Sequence, residues 1–153
     1  MDIQKINRTD PEKIFIPVLN TEASSMTTGY AVAIAFGAAS ADGHQAVMTR
    51  SGTAANLPGW VGVAAADIAA NTRGRVQTYG YAASIYLSQM NTSITVTIGD
   101  LLVPGAQAGG LTSAITPTGA ASGFRYVMVI SAPTLTLSNT VGNCYTSGYI
   151  RCF

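Results

Sequence analysis

From residue 29 onward, apolar residues alternate with small or polar ones at a period of two, which is the period of β-strands rather than helices. The segment 30–36 (YAVAIAF) places its large side chains on one face and three alanines on the other. Segments 93–98 and 134–138 alternate between apolar and hydroxyl residues, as half-exposed antiparallel strands do. We therefore expect a strand in each of these three segments.

Three further apolar segments extend the pattern. Residues 60–64 and 74–87 have strand composition, and Gly80 inside the longer segment indicates a bulge or bend. Residues 124–131 become apolar on both faces after Arg125, which predicts a central strand. The segment 64–71 (AAADIAAN) has helical composition, and we expect at most two turns of helix there.

Short strands separated by Gly, Pro, Asn and Asp predict an all-β fold, a small β-barrel or sandwich of about seven to ten short strands. The N-terminal part differs, because seven of the fifteen formal charges lie within the first 22 residues. It ends in an apolar segment interrupted by Pro17. We therefore predict an extended N-terminal arm and linker over residues 1–28 and one β-domain over residues 29–153.

A glycine-rich stretch, GDLLVPGAQAGGLTS at residues 99–113, follows an apolar segment and raises the question of a phosphate-binding loop. A Walker A loop needs a lysine after its second glycine to meet the phosphates. The segment 105–110 contains no lysine, and residues 111–115 have strand composition rather than helical composition. We therefore expect a tight hairpin between two strands and no phosphate or dinucleotide cofactor.

The two cysteines, Cys144 and Cys152, are separated by eight positions. If they lie on one extended strand, their Cα atoms are roughly 26 Å apart at about 3.3 Å per residue, too far for a disulfide. A hairpin turning at Ser147 and Gly148 would instead bring them together. Free, packed thiols are the expectation for a protein made in the cytoplasm.

The low charge of the chain indicates which kinds of partner it has. Only 10% of the residues are charged, against roughly 25% in typical globular proteins, which favours a chain packed permanently against other subunits. The net charge is +1 and the basic residues are scattered, so we expect no nucleic-acid partner. Neither a signal peptide nor an apolar run long enough for a bilayer is visible, so we expect no membrane partner.

Candidate catalytic groups are few. The single histidine, His44, follows an Asp-Gly turn signal, and no Gly-x-Ser-x-Gly elbow accompanies it. Asp67 and Asp100 stand where aspartate commonly accepts hydrogen bonds from backbone N–H groups. A hydrolase using these two carboxylates as a pair is the alternative. The sequence favours a protein that is not an enzyme and has no metal site and no cofactor.

Aromatic residues gather in the segment 60–86, where Trp60 precedes Tyr79, Tyr81 and Tyr86. Aromatic side chains at strand spacing more often belong to a core or a subunit interface than to a ligand site. The alternative is a glycan-binding face made from these four residues.

The order of several motifs is similar to a known family. The segment WVGVAAADIAANTRGRVQTYGY at 60–81 is followed by IGDLLV at 98–103 and GGL at 109–111. This series resembles the capsid decoration proteins of tailed bacteriophages, also called cement or head-stabilising proteins. Members carry V-G-V-A, an Asp-rich turn, G-x-V-x-x-x-G and then x-G-D-x-L before a small-residue hairpin. The likeness covers residues 59–131.

The resemblance implies a compact β-domain that trimerises and binds the outer surface of an assembled capsid, near junctions between capsomers. The implied partners are the major capsid protein of the same phage and two further copies of this chain, and the implied location is the virion. It does not supply the capsid-contacting residues. For those, the apolar segment of the predicted arm offers Ile14, Phe15, Ile16, Val18 and Leu19, which we expect to add a strand to an exposed sheet edge.

Two expectations follow for function. Deleting residues 1–22 should abolish capsid binding and leave the oligomer intact. The alternative function is a head-fibre, tail or adhesin-type module that recognises host-surface glycans, for which Tyr79 and Tyr81 would be the residues to test.

Overall fold

The computed structural model describes residues 12–35, 44–49, 59–88, 94–105, 108–113, 126–131, 135–137 and 144–152. Its regular elements are β-strands, which confirms the predicted all-β class. In chain order these are β1 (Ile14–Asn20), β2 (Ala31–Ile34), β3 (Gln45–Met48), β4 (Trp60–Ala64), β5 (Arg73–Leu87), β6 (Ile94–Val96), β7 (Leu101–Pro104), β8 (Leu111–Ser113), β9 (Tyr126–Ser131), β10 (Leu135–Leu137) and β11 (Cys144–Arg151).

The long strand β5 organises the molecule, because it pairs with four other strands. Gln77 pairs with Phe15 of β1 and with Val63 of β4, so these two strands lie on opposite edges of β5. Near the other end of β5, Leu87 pairs with Cys144 of β11 and with Leu111 of β8, so these two strands also lie on opposite edges of β5. The strand has fifteen residues, enough to serve one pair of neighbours at each end.

Five strands close into a barrel in the order β1-β3-β2-β4-β5, completed by the β1–β5 pairing. The sheet continues from β5 through β11, β9, β7 and β8, and β8 returns to β5 through one residue pair. Strands β6 and β10 form a separate two-stranded sheet. The predicted barrel is therefore present, and β5 belongs both to it and to the sheet beside it.

Two hydrophobic cores result from this arrangement. The barrel core contains Val18, Met26, Val32, Ala46, Met48, Ala64, Ile68 and Val76. The second core contains Ala31, Trp60, Val63, Ala82, Ile85, Leu87, Val96, Leu102, Leu111, Val127, Val129, Ile150 and Cys152. Neighbouring residues of β2 and of β4 point into different cores, since successive side chains of a strand face opposite ways. Ala31, on the predicted alanine face of β2, lies in the second core, whereas Val32, on the face of large side chains, lies in the barrel core.

The segment 64–71 is not helical, so that prediction is wrong. Ala64 ends β4, and Ile68 forms a β-bridge with Met26 through two backbone hydrogen bonds of 2.9 Å. The buried side-chain amide of Asn20 donates to the carbonyls of Ile68 and Ala69. These long-range partners satisfy the backbone groups that a helix would have paired internally, and such tertiary contacts outweigh the helix propensity of alanine.

The glycine-rich stretch forms the predicted hairpin between β7 and β8. Val103 pairs with Thr112, and the Gly105 N–H donates to the Gly110 carbonyl at 2.7 Å. Gly109 has φ +72°, and a Cβ atom there would lie 2.5 Å from Cδ2 of Tyr30. Glycine at this position therefore serves both the turn and a close approach to the tyrosine ring.

The apolar segment of the predicted arm forms β1, which is one wall of the barrel. Residues 14–19 pair with β5, and residues 19 and 20 pair in parallel with β3. Because β1 supplies one wall of the closed barrel, the predicted boundary at residue 28 does not separate this segment from the domain. Residues 1–11 of the arm lie outside the described residues.

Cys144 begins β11 and Cys152 directly follows its last residue, so the two cysteines are not folded back on each other. Both thiols are free, which confirms the prediction for a single extended strand. Positions 147 and 148 form a register shift between β11 and its neighbours rather than a hairpin turn. His44 is exposed just before β3, and its carbonyl accepts the Leu19 N–H at 2.7 Å.

Candidate interaction surface

One surface of the second sheet carries a row of apolar and aromatic side chains that crosses four strands. Tyr81 of β5 pairs with Tyr149 of β11, Tyr149 pairs with Met128 of β9, and Met128 pairs with Leu101 of β7. Directly paired residues lie on the same face of a sheet. Met128 is 39% exposed and Leu101 is 41% exposed, so no part of the described chain covers the far end of this row.

A second row runs beside the first. Arg151 pairs with Tyr79, which in turn pairs with Ile14. The rings of Tyr79 and Tyr149 meet edge to face with centroids 5.2 Å apart, which places the two rows on one face. A hydrogen bond with Tyr79, aided by desolvation, raises the pKa of Tyr149 to about 12.

We call this surface the outer face. It consists of Ile14, Tyr79, Tyr81, Leu101, Met128, Ile130 and Tyr149. At its β5 end the Lys13 ammonium lies 5.9 Å from the centre of the Tyr81 ring, and Arg151 is exposed. A contiguous apolar patch with a polar rim is typical of a surface that binds another protein.

The exposed side of β9 could not be told from its residue pattern. Residues 124–131 are apolar on both faces after Arg125, and this pattern predicts a central strand. β9 does lie centrally, between β11 and β7. Val127 and Val129 are buried, however, whereas Met128 and Ile130 are each 39% exposed. An apolar run thus has two explanations, a strand covered on both sides or a strand with one face left for a partner.

The structure separates the five predicted capsid-contact residues into three environments. Ile14 and Phe15 are exposed, at 41% and 38%. Ile16 and Leu19 are half-buried, and Val18 is buried in the barrel core at 2% exposure. Val18 therefore stabilises the domain from inside, since its position on β1 points into the closed barrel.

Phe15 has a cationic neighbour on the outside of the barrel. The Arg75 guanidinium carbon lies 5.4 Å from the centre of its ring, within the range of a cation–π contact. This contact holds an exposed aromatic ring and a positive charge together on the same wall.

The two candidate acids accept backbone hydrogen bonds, as predicted. Asp67 Oδ1 accepts from the Thr28 N–H at 2.7 Å and from the Thr28 hydroxyl at 2.8 Å. These bonds lower the pKa of the Asp67 carboxyl below its ordinary value of 3.8. Asp100 Oδ2 accepts from the Thr97 N–H at 2.8 Å. Each carboxylate therefore stabilises a turn or loop by accepting these hydrogen bonds.

The four aromatic residues considered for a glycan face do not form one surface. Trp60 is 2% exposed and donates its indole N–H to the Gly62 carbonyl at 2.9 Å. Tyr86 is 4% exposed. Tyr79 and Tyr81 are partly exposed and belong to the outer face. Trp60 therefore serves the second core, which corrects the glycan-face alternative as it was drawn from the sequence.

Within the described ranges, no group of three or more His, Cys, Asp or Glu residues is arranged to hold a metal ion. The same ranges contain no helix with the length and apolarity needed to cross a membrane. Comparison with known proteins returns no match to a protein-family model, a curated protein or a solved structure.

Proposed function

We propose that this protein is a structural component of a phage virion that binds the outer surface of the assembled capsid as a homo-oligomer, with the trimer as the expected form. It stabilises the shell at junctions between capsomers, and it performs no catalysis. Its partners are the major capsid protein and further copies of itself.

The observation that carries the proposal is the outer face. Its apolar row presents Tyr, Met and Leu side chains on a rigid, hydrogen-bonded sheet. Aromatic residues and methionine are enriched at protein interfaces, and a rigid surface loses little conformational entropy on binding. The motif order of the decoration-protein family and the low charge of the chain support the same reading.

The position of β1 changes how capsid binding would work. A strand already paired with β5 along residues 14–19 cannot leave the barrel to extend a capsid sheet without opening the core. We therefore assign the contact to side chains on intact strands, with Ile14 belonging to the outer face. Each copy then binds the capsid weakly, and the many contacts made together on a symmetric lattice give a high overall affinity.

The outer face is tested with expanded capsids that lack this protein, mixed with wild-type protein or with Met128→Glu and sedimented. A buried carboxylate in the centre of the interface should weaken capsid binding by about tenfold or more. Ala69→Glu is the matched control, because Ala69 is exposed on the loop between β4 and β5 and makes the same charge change.

Two outcomes contradict different parts of the proposal. Wild-type protein that never sediments with capsids would overturn the function itself. Equal binding by wild type and Met128→Glu would retain the function and reject the outer face as the contact. Circular dichroism of both variants checks that each is folded.

A further inference from the structure

An open cavity of about 410 Å³ lies where β4 and β5 separate at the loop that joins them. It is lined by Ala65, Ala66, Asp67, Ile68, Arg73, Gly74 and Arg75. At the strand end, the Ala65 N–H donates to the Arg75 carbonyl at 3.0 Å. At the tip of the loop, the Thr72 N–H donates to the Ala69 carbonyl at 3.2 Å. The volume falls in the range of ligand sites, about 300–1,000 Å³.

Both sides of this cavity are held by other parts of the chain. On the loop side, Ile68 forms two backbone hydrogen bonds of 2.9 Å with Met26, and Asp67 accepts two hydrogen bonds from Thr28. On the strand side, residues 73–75 pair with β1. The cavity is therefore arranged before any ligand arrives, which lowers the entropy cost of binding.

The lining of the cavity is basic. Arg73 and Arg75 are two positions apart on β5, so their side chains lie on the same face of the strand, and both residues are exposed. Asp67 adds the single carboxylate of the lining, which leaves a net charge of +1. Within the part of the chain that the structure describes, neither arginine forms an ion pair with a carboxylate. Both guanidinium groups can therefore donate hydrogen bonds to an external anion.

The charge of the lining favours one class of anion. A single carboxylate neutralises a net charge of +1, and an arginine can donate two parallel hydrogen bonds to its oxygens. A phosphate group carries about −1.5 to −2 at pH 7, and its excess charge would be repelled by Asp67. The cavity therefore suits a singly charged carboxylate.

The surface beside the arginines is apolar. The Phe15 ring, 38% exposed, lies 5.4 Å from the guanidinium carbon of Arg75. Arg75 pairs with Pro17, which is exposed, and Arg73 pairs with Leu19, which is half-buried. Directly paired residues lie on the same face of a sheet, so these apolar groups are neighbours of the two charges. A peptide that carries an acidic residue among apolar ones offers the complementary groups.

We propose that this cavity binds the carboxylate of an Asp or Glu side chain in a peptide segment whose neighbouring residues are apolar. Arg73 and Arg75 donate hydrogen bonds to the carboxylate oxygens, and the apolar neighbours pack against Phe15 and Pro17. Arg75 precedes Tyr81 on β5 by six positions, which places the cavity roughly 20 Å along the strand from that end of the outer face. A partner on the outer face therefore leaves the cavity accessible.

The test titrates the full chain against a short fluorescent peptide that alternates glutamate with leucine and measures fluorescence anisotropy. The same peptide with glutamine in place of glutamate should bind at least about tenfold more weakly. Arg73→Gln and Arg75→Gln should each weaken binding of the glutamate peptide by about threefold, and the double variant by about tenfold. Arg151→Gln is the matched control, because Arg151 is exposed on β11 and loses the same charge. It should change the dissociation constant less than about twofold.

Equal affinity for the two peptides would overturn the proposal, and so would full affinity in the double variant. An equal loss in Arg151→Gln would indicate general attraction to positive charge and no site at the cavity. Acetate and inorganic phosphate are added as competitors at constant ionic strength. Acetate that binds as tightly as the peptide would reject a peptide ligand, and stronger competition by phosphate would reject the preference for a carboxylate.

The variants should fold because both arginines are exposed, and thermal unfolding verifies this. The measurement contains no capsid, so its outcome does not depend on the proposed function.

Discussion

At the scale of single residues, Asp67 shows how one carboxylate joins two distant loops. It lies 39 positions from Thr28, and its two hydrogen bonds to that residue are made by the ionised form. A carboxyl whose pKa is lower in the folded chain than in the unfolded chain stabilises the fold above the unfolded pKa. That stabilisation is lost as the pH falls through the folded pKa.

Asp67→Asn should therefore lower the free energy of unfolding at pH 7, and the difference from wild type should shrink as the pH falls below 3.8. Urea unfolding of both proteins at pH 7, 5 and 3 measures this. A difference that stays constant over the whole range would show that the charge of Asp67 has no part in stability.

Gly109 makes a second test at a single position. Gly109→Ala should destabilise the protein by about 1–3 kcal/mol for the left-handed backbone alone, and further because the new Cβ would meet the Tyr30 ring. Gly99→Ala is the matched control, since Gly99 has φ +92° with no atom within 4 Å of its Cβ position. Equal thermal unfolding of the two variants would contradict the close approach of Gly109 to Tyr30.

At the scale of elements, β1 is a wall of the barrel and not part of an extended arm. Val18→Ala should cost about 2 kcal/mol in unfolding free energy, because it removes buried methyl groups from the core. Phe15→Ala, on the same strand, should cost less because the ring is 38% exposed. Denaturant titration compares the two, and a larger loss for Phe15→Ala would contradict the described orientation of β1.

The place of β1 in the barrel changes the expected effect of an N-terminal deletion. Deleting residues 1–22 was expected to leave the oligomer intact, but the deletion removes β1 and opens the five-stranded barrel. The truncated chain should therefore fail to fold. A cooperative thermal transition in the truncated chain would show that the barrel does not need β1.

Strands could be predicted from the sequence wherever local pattern and tertiary setting agree. Alternation located β2, and the glycine-rich stretch located the β7–β8 hairpin, because both depend on residues close in sequence. The loop at 64–71 could not be predicted, since its conformation is fixed by Asn20 and Met26 from elsewhere in the chain. The outer face was missed for the related reason that an apolar strand does not tell which of its faces is covered.

The candidate sites follow the same rule. Backbone capping by Asp67 and Asp100 was predictable from residue type, but the partner of Asp67 was not. The rings of Tyr30, Tyr86 and Tyr145 come from three separate segments of the chain, so no local sequence motif predicts that they meet. Trp60 and Tyr86, grouped with exposed tyrosines by sequence, are separated from them by burial.

At the scale of the whole molecule, the proposed permanent contacts rest on the low charge of the chain and on its apolar outer face. The free protein should already be oligomeric if the expected trimer forms before capsid binding. Light scattering should then report a mass about three times the 15.7 kDa of one chain. A monomer at micromolar concentration would contradict a preformed trimer.

We propose above that this protein decorates an assembled shell. The most direct measurement titrates it onto expanded capsids that lack it and counts the bound copies at saturation. Binding should reach a plateau at a fixed number of copies set by the symmetry of the lattice. Binding that never saturates, or no binding to capsids at any concentration, would contradict it.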